Sequence, residues 1–160
     1  MKIEIIPGLW ISSKSYSNNA EFLRDKNIGF LVNCQKDLEF LGKSDGYSDQ
    51  IRMNLEKYEV LKFNKYLFAI TERIYSKIKD NVNVLIFCEN TIQKSPTIIL
   101  CYIIRYGMLN KENSMELLKT KCPDIFAVNK HTINKPTAFE TSPIRTPVVI
   151  DFLSIESPVI

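Results

Sequence analysis

Residues 84–97 read VLIFCENTIQKSPT. A short apolar run ends on Cys88, a polar loop follows, and Ser95 and Pro96 then stand where a helix is expected to begin. A strand that passes through a short loop into a helix places its last residue beside backbone N–H groups that favour anions. The stretch therefore predicts an α/β fold with a functional site directly after the strand.

Strand patterns recur on both sides of this stretch. Apolar runs at residues 28–34 and 82–87 are typical of strands that are buried on both faces of a parallel sheet. Residues 50–55 alternate as a strand does, and residues 3–12 indicate two short strands around a Pro7-Gly8 turn. The chain is thus expected to form a central, mostly parallel sheet.

Helical patterns lie between these strands. Residues 17–27 indicate a short helix with Asn18 or Asn19 as N-cap, and residues 110–121 a helix that Asn110 caps. A third helix is expected to be capped by Ser95, with Pro96 at its first position, and to end at Gly107. A long helix between them carries an apolar stripe that we interpret as core: Phe63, Tyr66, Leu67, Ile70, Ile74 and Ile78.

Composition excludes several classes of function. The chain has 160 residues, 45% hydrophobic, with a net charge of +3 from basic residues that are scattered among acidic ones. This composition predicts a globular domain that binds neither nucleic acid nor membrane. The four cysteines are far apart in sequence, and the only histidine is His131, so free thiols are expected and no metal or cofactor.

The order of these elements resembles the dual-specificity, cysteine-dependent protein phosphatases from about Ile5 to Ile133. The segments IPGLWISS and NIGFLVNC are similar to the opening strands of that family. The resemblance implies an α/β domain over residues 1–135, whose sheet is flanked by helices. It also implies that Cys88 stands at the position of the catalytic nucleophile.

The family signature, H-C-x-x-G-x-x-R-S, is matched here only by Cys88 and Ser95. Phe87 replaces the histidine and cannot donate a hydrogen bond to a thiolate, and Lys94 replaces the arginine without its bidentate fork. Thr91 replaces the glycine and, being β-branched, is expected to resist a positive φ. The other residues of the expected phosphate loop are Glu89, Asn90, Ile92 and Gln93.

The resemblance further implies an aspartate general acid about thirty residues before the cysteine. No aspartate lies between Asp49 and Asp80, so the candidates are the nearby carboxylates Glu56, which we favour, and Glu59. The combined losses favour a catalytically inactive domain, a pseudophosphatase, that acts as a binding or structural module. The alternative is a divergent active phosphatase of phosphotyrosine, phosphoserine or phosphothreonine. A redox role for Cys88 is disfavoured, because no partner cysteine lies near it in sequence.

The expected partners are proteins, bound through one of two surfaces. The degenerate pocket could hold a phosphorylated or acidic segment through Lys94. Residues 136–160 form an expected extended arm, in which VVIDFLSI (148–155) could add a strand to a foreign sheet. The absence of an apolar N-terminal leader predicts an intracellular, cytoplasmic protein. The excess of Ile, Lys and Asn suggests an A/T-rich genome, and hence the hypothesis of a viral structural component associated with the virion.

Overall fold

A five-stranded sheet forms the centre of the part of the chain that the structure, a computed structural model, describes. That part comprises residues 1–35, 49–53, 60–89, 91 and 94–126, without the side chains of residues 60–64. The strand order is β1-β2-β5-β3-β4, in which β1 and β2 are antiparallel and every other neighbouring pair is parallel. The strands are β1 (Lys2–Ile6), β2 (Leu9–Ser13), β3 (Ile28–Asn33), β4 (Gln50–Arg52) and β5 (Asn83–Cys88).

Strand β5 lies at the middle of the sheet. It is paired with β2 on one side and with β3 on the other, and its residues from Val84 to Cys88 are all buried. This is the environment that its uninterrupted apolar sequence requires, since side chains on both faces are covered. The prediction of buried parallel strands at residues 28–34 and 82–87 is confirmed, with the second strand extending to Cys88.

Two groups of helices cover the two faces of the sheet. The short helices contribute Phe22 and Leu23 to an apolar cluster with Leu31, Leu85 and Phe87 of β3 and β5. The longer helices pack on the opposite face, where Ser95 of α4 meets Cys88. The helices are α1 (Lys14–Ser17), α2 (Ala20–Asp25), α3 (Val60–Lys79), α4 (Lys94–Tyr106) and α5 (Lys111–Lys121). The predicted α/β architecture with a mostly parallel sheet is thus confirmed.

Helix α4, which carries the residues after the central loop, is fixed to α3 by polar and aromatic contacts. The Arg105 guanidinium donates to the backbone oxygen of Phe68 at 2.7 Å and to Thr71 Oγ1 at 2.9 Å. The rings of Tyr75 and Tyr106 stack with their centroids 4.3 Å apart. These contacts fix the C-terminal end of α4 against α3.

Some sequence-based expectations differ from the structure, and others concern residues that the structure does not describe. Tyr66 was expected in the core stripe of α3 but is 48% exposed. Among the described side chains of that stripe, the buried ones are Leu67, Ile70 and Ile74, and Tyr66 lies to one side of the face that they form. The strand expected at residues 50–55 ends at Arg52. The arm at 136–160 and His131 lie outside the described residues. No described helix has the length and apolarity that spanning a membrane would require.

The N-cap of α2 offers a direct test of the local structure. Asn19 Oδ1 accepts a hydrogen bond from the backbone N–H of Phe22 at 2.8 Å, so Asn19 rather than Asn18 is the cap. We expect Asn19→Ala to lower the free energy of unfolding by about 1 kcal/mol. The matched control Asn18→Ala, at the exposed preceding position, is expected to change it by less than about 0.5 kcal/mol. Urea unfolding of the two variants measures both, and equal losses would contradict the assignment.

Candidate functional site

Cys88 is the last residue of β5 and is 1% exposed. It lies at the carboxyl end of the sheet, where β2 ends at Ser13 and β3 ends at Asn33, in register with Cys88 and Phe87 respectively. In an open α/β sheet, ligands bind at the carboxyl ends of such neighbouring strands. Cys88 therefore lies at the edge of the sheet where ligands bind in open α/β folds.

Ser95 is the side chain that contacts the Cys88 thiol. Cys88 Sγ and Ser95 Oγ are 2.9 Å apart, and Ser95 is fully buried. The prediction that Ser95 caps α4 with Pro96 at the first position was wrong: α4 begins at Lys94, so Ser95 is its second residue and Pro96 its third. The physical reason is that the Ser95 hydroxyl faces the thiol. Pro96 is tolerated because the N–H groups of the first turn have no acceptor within the helix.

Thr91 has a φ of 55° and is buried. Thr91 therefore adopts a positive φ against the preference of a β-branched residue. The loop takes a left-handed turn at the position where the signature has glycine. A β-branched residue rarely adopts this conformation, and strain of this kind costs about 1–3 kcal/mol. Thr91 thus has a left-handed backbone conformation without being glycine, the residue for which this conformation carries no steric cost.

Gln35 and Glu89 form a reciprocal pair at the rim of the site. The backbone N–H of Glu89 donates to Gln35 Oε1 at 2.8 Å, and Gln35 Nε2 donates to Glu89 Oε2 at 3.3 Å. Glu89 is exposed, so its carboxylate is held at the rim. Gln35 follows directly after the buried residues at the end of β3, the strand that neighbours β5. A polar residue directly after a buried apolar run is the sequence signal that could have indicated this part of the site.

Cys34 is a second buried thiol beside Cys88. Its backbone N–H donates to the carbonyl oxygen of Phe87 at 2.9 Å, which continues the pairing of β3 with β5 by one residue. Burial raises the pKa of the Cys34 thiol well above its usual value; Cys88 raises it further and the Lys94 ammonium lowers it. Cys88 and Lys94 therefore both lie within electrostatic reach of Cys34. Nothing in the sequence indicates that these two cysteines, which are far apart in the chain, are neighbours.

The remaining candidate residues divide into two sets. Phe87 is 1% exposed and packs in the apolar cluster on the α2 face of the sheet, so its ring points away from the thiol. Lys94 is the first residue of α4 and is partly buried. The other set lies outside the described residues: Glu56, Asn90, Ile92 and Gln93. Within the described ranges, no group of three or more potential ligands is placed to hold a metal ion.

The comparisons with known proteins agree on one family. The family described as dual specificity phosphatase, catalytic domain, matches residues 9–140. The MAP kinase phosphatase with leucine-rich repeats protein 3 of Dictyostelium discoideum is 26% identical over 124 residues, which are 76% of this chain and 14% of that protein. The chain thus spans a small fraction of this relative's length.

Solved structures share the fold at low sequence identity. Human DUSP28 has a TM-score of 0.69 at 14% identity, with 78% of this chain and 82% of that chain covered. The human tyrosine phosphatase-like serine/threonine/tyrosine-interacting protein has a TM-score of 0.69 at 13% identity, with 86% of this chain and 88% of that chain covered.

Because Thr91 has a positive φ, we expect the protein to be more stable with glycine than with alanine at this position, which is the reverse of the order in a helix. At a positive φ an L-residue is disfavoured by about 1–2 kcal/mol, so Thr91→Gly should be more stable than Thr91→Ala by about 1 kcal/mol. Both variants lose the hydroxyl and the methyl group of Thr91 and differ from each other only by the Cβ atom, so the comparison reports mainly on the backbone. The control pair Glu116→Ala and Glu116→Gly, at an exposed position in α5, should show the opposite order. Chemical unfolding measures all four, and a more stable Thr91→Ala would disprove the left-handed turn.

Proposed function

The chain belongs to the dual specificity phosphatase family, and on that premise we propose that it is a catalytically inactive member that acts by binding protein partners. In the family signature, the backbone N–H groups that follow the cysteine face the phosphate. The single observation that carries the proposal is the bond from the first of these groups, the Glu89 N–H, to Gln35 Oε1. A donor needed for phosphate is thereby satisfied within the protein.

The charge at the rim supports the same proposal. The Glu89 carboxylate belongs to the pair that occupies its own N–H, so a negative group lies beside a site that would receive a dianion. Like charges at short range repel, and closing the site to water strengthens that repulsion. Phosphate would therefore have to displace Gln35 and approach Glu89.

The donors that would stabilise the thiolate and the transition state are also reduced. Phe87 contributes an apolar ring to the opposite face of the sheet, where the signature has histidine. Lys94 offers a single ammonium in place of a planar fork. Loss of one preorganised donor typically lowers turnover by about 10²–10³-fold, and general acid–base catalysis contributes a comparable factor.

A role in protein binding fits a fold that no longer serves catalysis. One solved neighbour is named as a phosphatase-like interacting protein, and it covers most of this chain. For the present chain, the partner surfaces that we propose are the rim of the degenerate pocket and the apolar arm at 136–160. A structural role in a virus is a narrower form of this proposal and rests on composition alone.

A divergent active phosphatase is the second candidate, and two observations favour it. The Cys88 thiol keeps a hydrogen-bonding hydroxyl at 2.9 Å, and Thr91 keeps the left-handed turn of the loop. A hydroxyl that donates to a thiolate stabilises it. These features retain one contact of the thiol and one backbone conformation, whereas the substitutions at Phe87 and Lys94 change the chemistry of the site.

Turnover of an aryl phosphate separates the two candidates. We expect p-nitrophenyl phosphate hydrolysis by the full chain to equal that of Cys88→Ser across neutral and mildly acidic pH, because the cradle and its donors are incomplete. An active family member assayed in parallel provides the sensitivity control. Hydrolysis that is present in the parent and lost in Cys88→Ser would establish the second candidate instead.

Phosphate affinity tests the role of the Gln35–Glu89 pair. A hydrogen bond from a neutral donor to an anion is worth about 1.5–3 kcal/mol, so releasing the Glu89 N–H in Gln35→Ala should tighten binding of inorganic phosphate by about tenfold or more. Glu89→Gln separates the two effects, because it removes the repulsion between the carboxylate and phosphate and leaves the backbone N–H bonded to Gln35, so any gain in this variant measures the charge alone. Calorimetric titration measures both. An unchanged affinity in Gln35→Ala would remove the carrying observation.

A further inference from the structure

We propose that Tyr16 and Phe22 form an aromatic cage for a trimethylammonium group, and that its ligand is a methylated lysine of a partner protein. The cage lies on the face of the sheet that α1 and α2 cover, whereas Cys88 and Ser95 meet on the other face. It is therefore separate from the degenerate pocket. Its binding of a cation is independent of whether the chain hydrolyses phosphate.

The two rings form the walls of a corner. Tyr16 belongs to α1 and Phe22 to α2, and their centroids are 6.0 Å apart with an angle of 71° between the ring planes. Rings at such an angle turn two π faces towards one point, and the face of an aromatic ring attracts cations. Trp10 of β2 packs edge-on against Phe22 at 5.7 Å. The ammonium of Lys26 lies over the Trp10 ring, so the cage is limited to Tyr16 and Phe22.

The ammonium of Lys2 lies in this corner. Lys2 Nζ is 4.9 Å from the centroid of Phe22 and 5.1 Å from that of Tyr16, over the face of each ring. Strand pairing brings it there, because Lys2 of β1 is opposite Ser12 of β2, which points to the same face of the sheet as Trp10. The corner thus accepts a lysine side chain from within the protein.

The width of the corner suits a methylated nitrogen. A methyl carbon contacts an aromatic ring at about 3.5–4.0 Å and lies about 1.5 Å from its nitrogen, so a trimethylammonium nitrogen sits about 4–5.5 Å from each ring. The distances of 4.9 and 5.1 Å from Lys2 Nζ to the two centroids fall in this range. A bare ammonium leaves a gap at these distances, because only hydrogens lie between its nitrogen and the rings.

A trimethylammonium group also loses less than the Lys2 ammonium on leaving water. An ammonium is strongly hydrated through its N–H donors. Among the described residues, the Lys2 ammonium makes these ring contacts and no hydrogen bond or ion pair that would replace the lost water. Trimethylation keeps the positive charge and removes the N–H donors. The methylated group is therefore the better occupant of a corner whose walls are aromatic.

Lys2 acts as an internal competitor for the cage. Its side chain is exposed apart from the ring contacts, so it returns to water when another cation enters. The apparent affinity for an external ligand is reduced by the fraction of molecules in which Lys2 occupies the corner. Because the internal occupant is a lysine side chain, a methylated lysine is favoured over the choline headgroup of a lipid as the external ligand.

The test is titration of the full chain with acetyl-trimethyllysine methylamide and with its neutral isostere, in which carbon replaces the charged nitrogen. The fluorescence of Trp10, the only tryptophan of the chain, reports binding beside Phe22. We expect saturable binding of the charged probe and binding of the isostere that is about threefold to tenfold weaker, because a cation–π contact contributes such a factor.

Two pairs of variants assign the binding to the cage. Lys2→Ala should tighten binding of the charged probe by about threefold or more, because no internal occupant remains. Lys14→Ala is the matched control, since it removes the same charge from an exposed position on α1 and should change the affinity less. Tyr16→Leu should weaken binding of the charged probe to the level of the isostere, whereas Tyr16→Phe keeps the ring face and should bind as the parent does.

Circular dichroism checks that each variant is folded, and Lys2→Ala and Tyr16→Phe decide the matter if Tyr16→Leu is not. The proposal is overturned if Lys2→Ala gives no saturable signal, or if it binds the isostere as tightly as the charged probe. It is also overturned if folded Tyr16→Leu binds the charged probe as Tyr16→Phe does. Cosedimentation of the chain with phosphatidylcholine vesicles would assign the cage to a lipid and would overturn it as well.

Discussion

The pairing of β5 with a parallel strand on each side is the constraint on which the rest of the structure depends. Backbone hydrogen bonds to β2 and β3 fix both the depth and the direction of β5, and therefore the position of Cys88 at its end. The same pairing brings the ends of β2 and β3 to the same edge of the sheet. The described residues of the site lie at or shortly after these strand ends, or at the start of α4.

The described residues of the site combine a frame that β5 and α4 impose with side chains that differ from the family signature. Thr91 holds a left-handed turn that costs free energy for a β-branched residue, and Ser95 still reaches the Cys88 thiol. By contrast, Phe87 serves the apolar core and the Glu89 N–H is bonded to Gln35. A fold can keep such a loop because the flanking strand and helix impose its ends. The donors are side chains and free N–H groups, and these can be lost without disturbing that frame.

Two thiols that are 54 positions apart in the chain become neighbours through this frame. Their proximity is a consequence of strand register, and the elevated pKa of Cys34 is a consequence of burial in the same place. A cysteine at the end of β5 thus has a physical explanation that does not require catalysis, which is packing in a buried position.

The sequence by itself determined the order of strands and helices, the burial of β3 and β5, and the location of the site after β5. Apolar runs, helical periodicity and capping residues such as Asn110 act over a few residues, so they can be recognised in the chain. It also identified Cys88, Ser95 and the substitutions at Phe87 and Lys94, because these lie within one short stretch of the chain, residues 87–95.

Only the tertiary structure decided what surrounds these residues. Three features depend on how distant parts of the chain are aligned. They are the Gln35–Glu89 pair, the proximity of Cys34 to Cys88, and the contact of the Ser95 hydroxyl with the Cys88 thiol. The positive φ of Thr91 also runs against the local preference of a β-branched residue, so its sequence alone does not indicate it. Local patterns carry no information about strand register, and the register is set by packing and hydrogen bonding across the whole sheet.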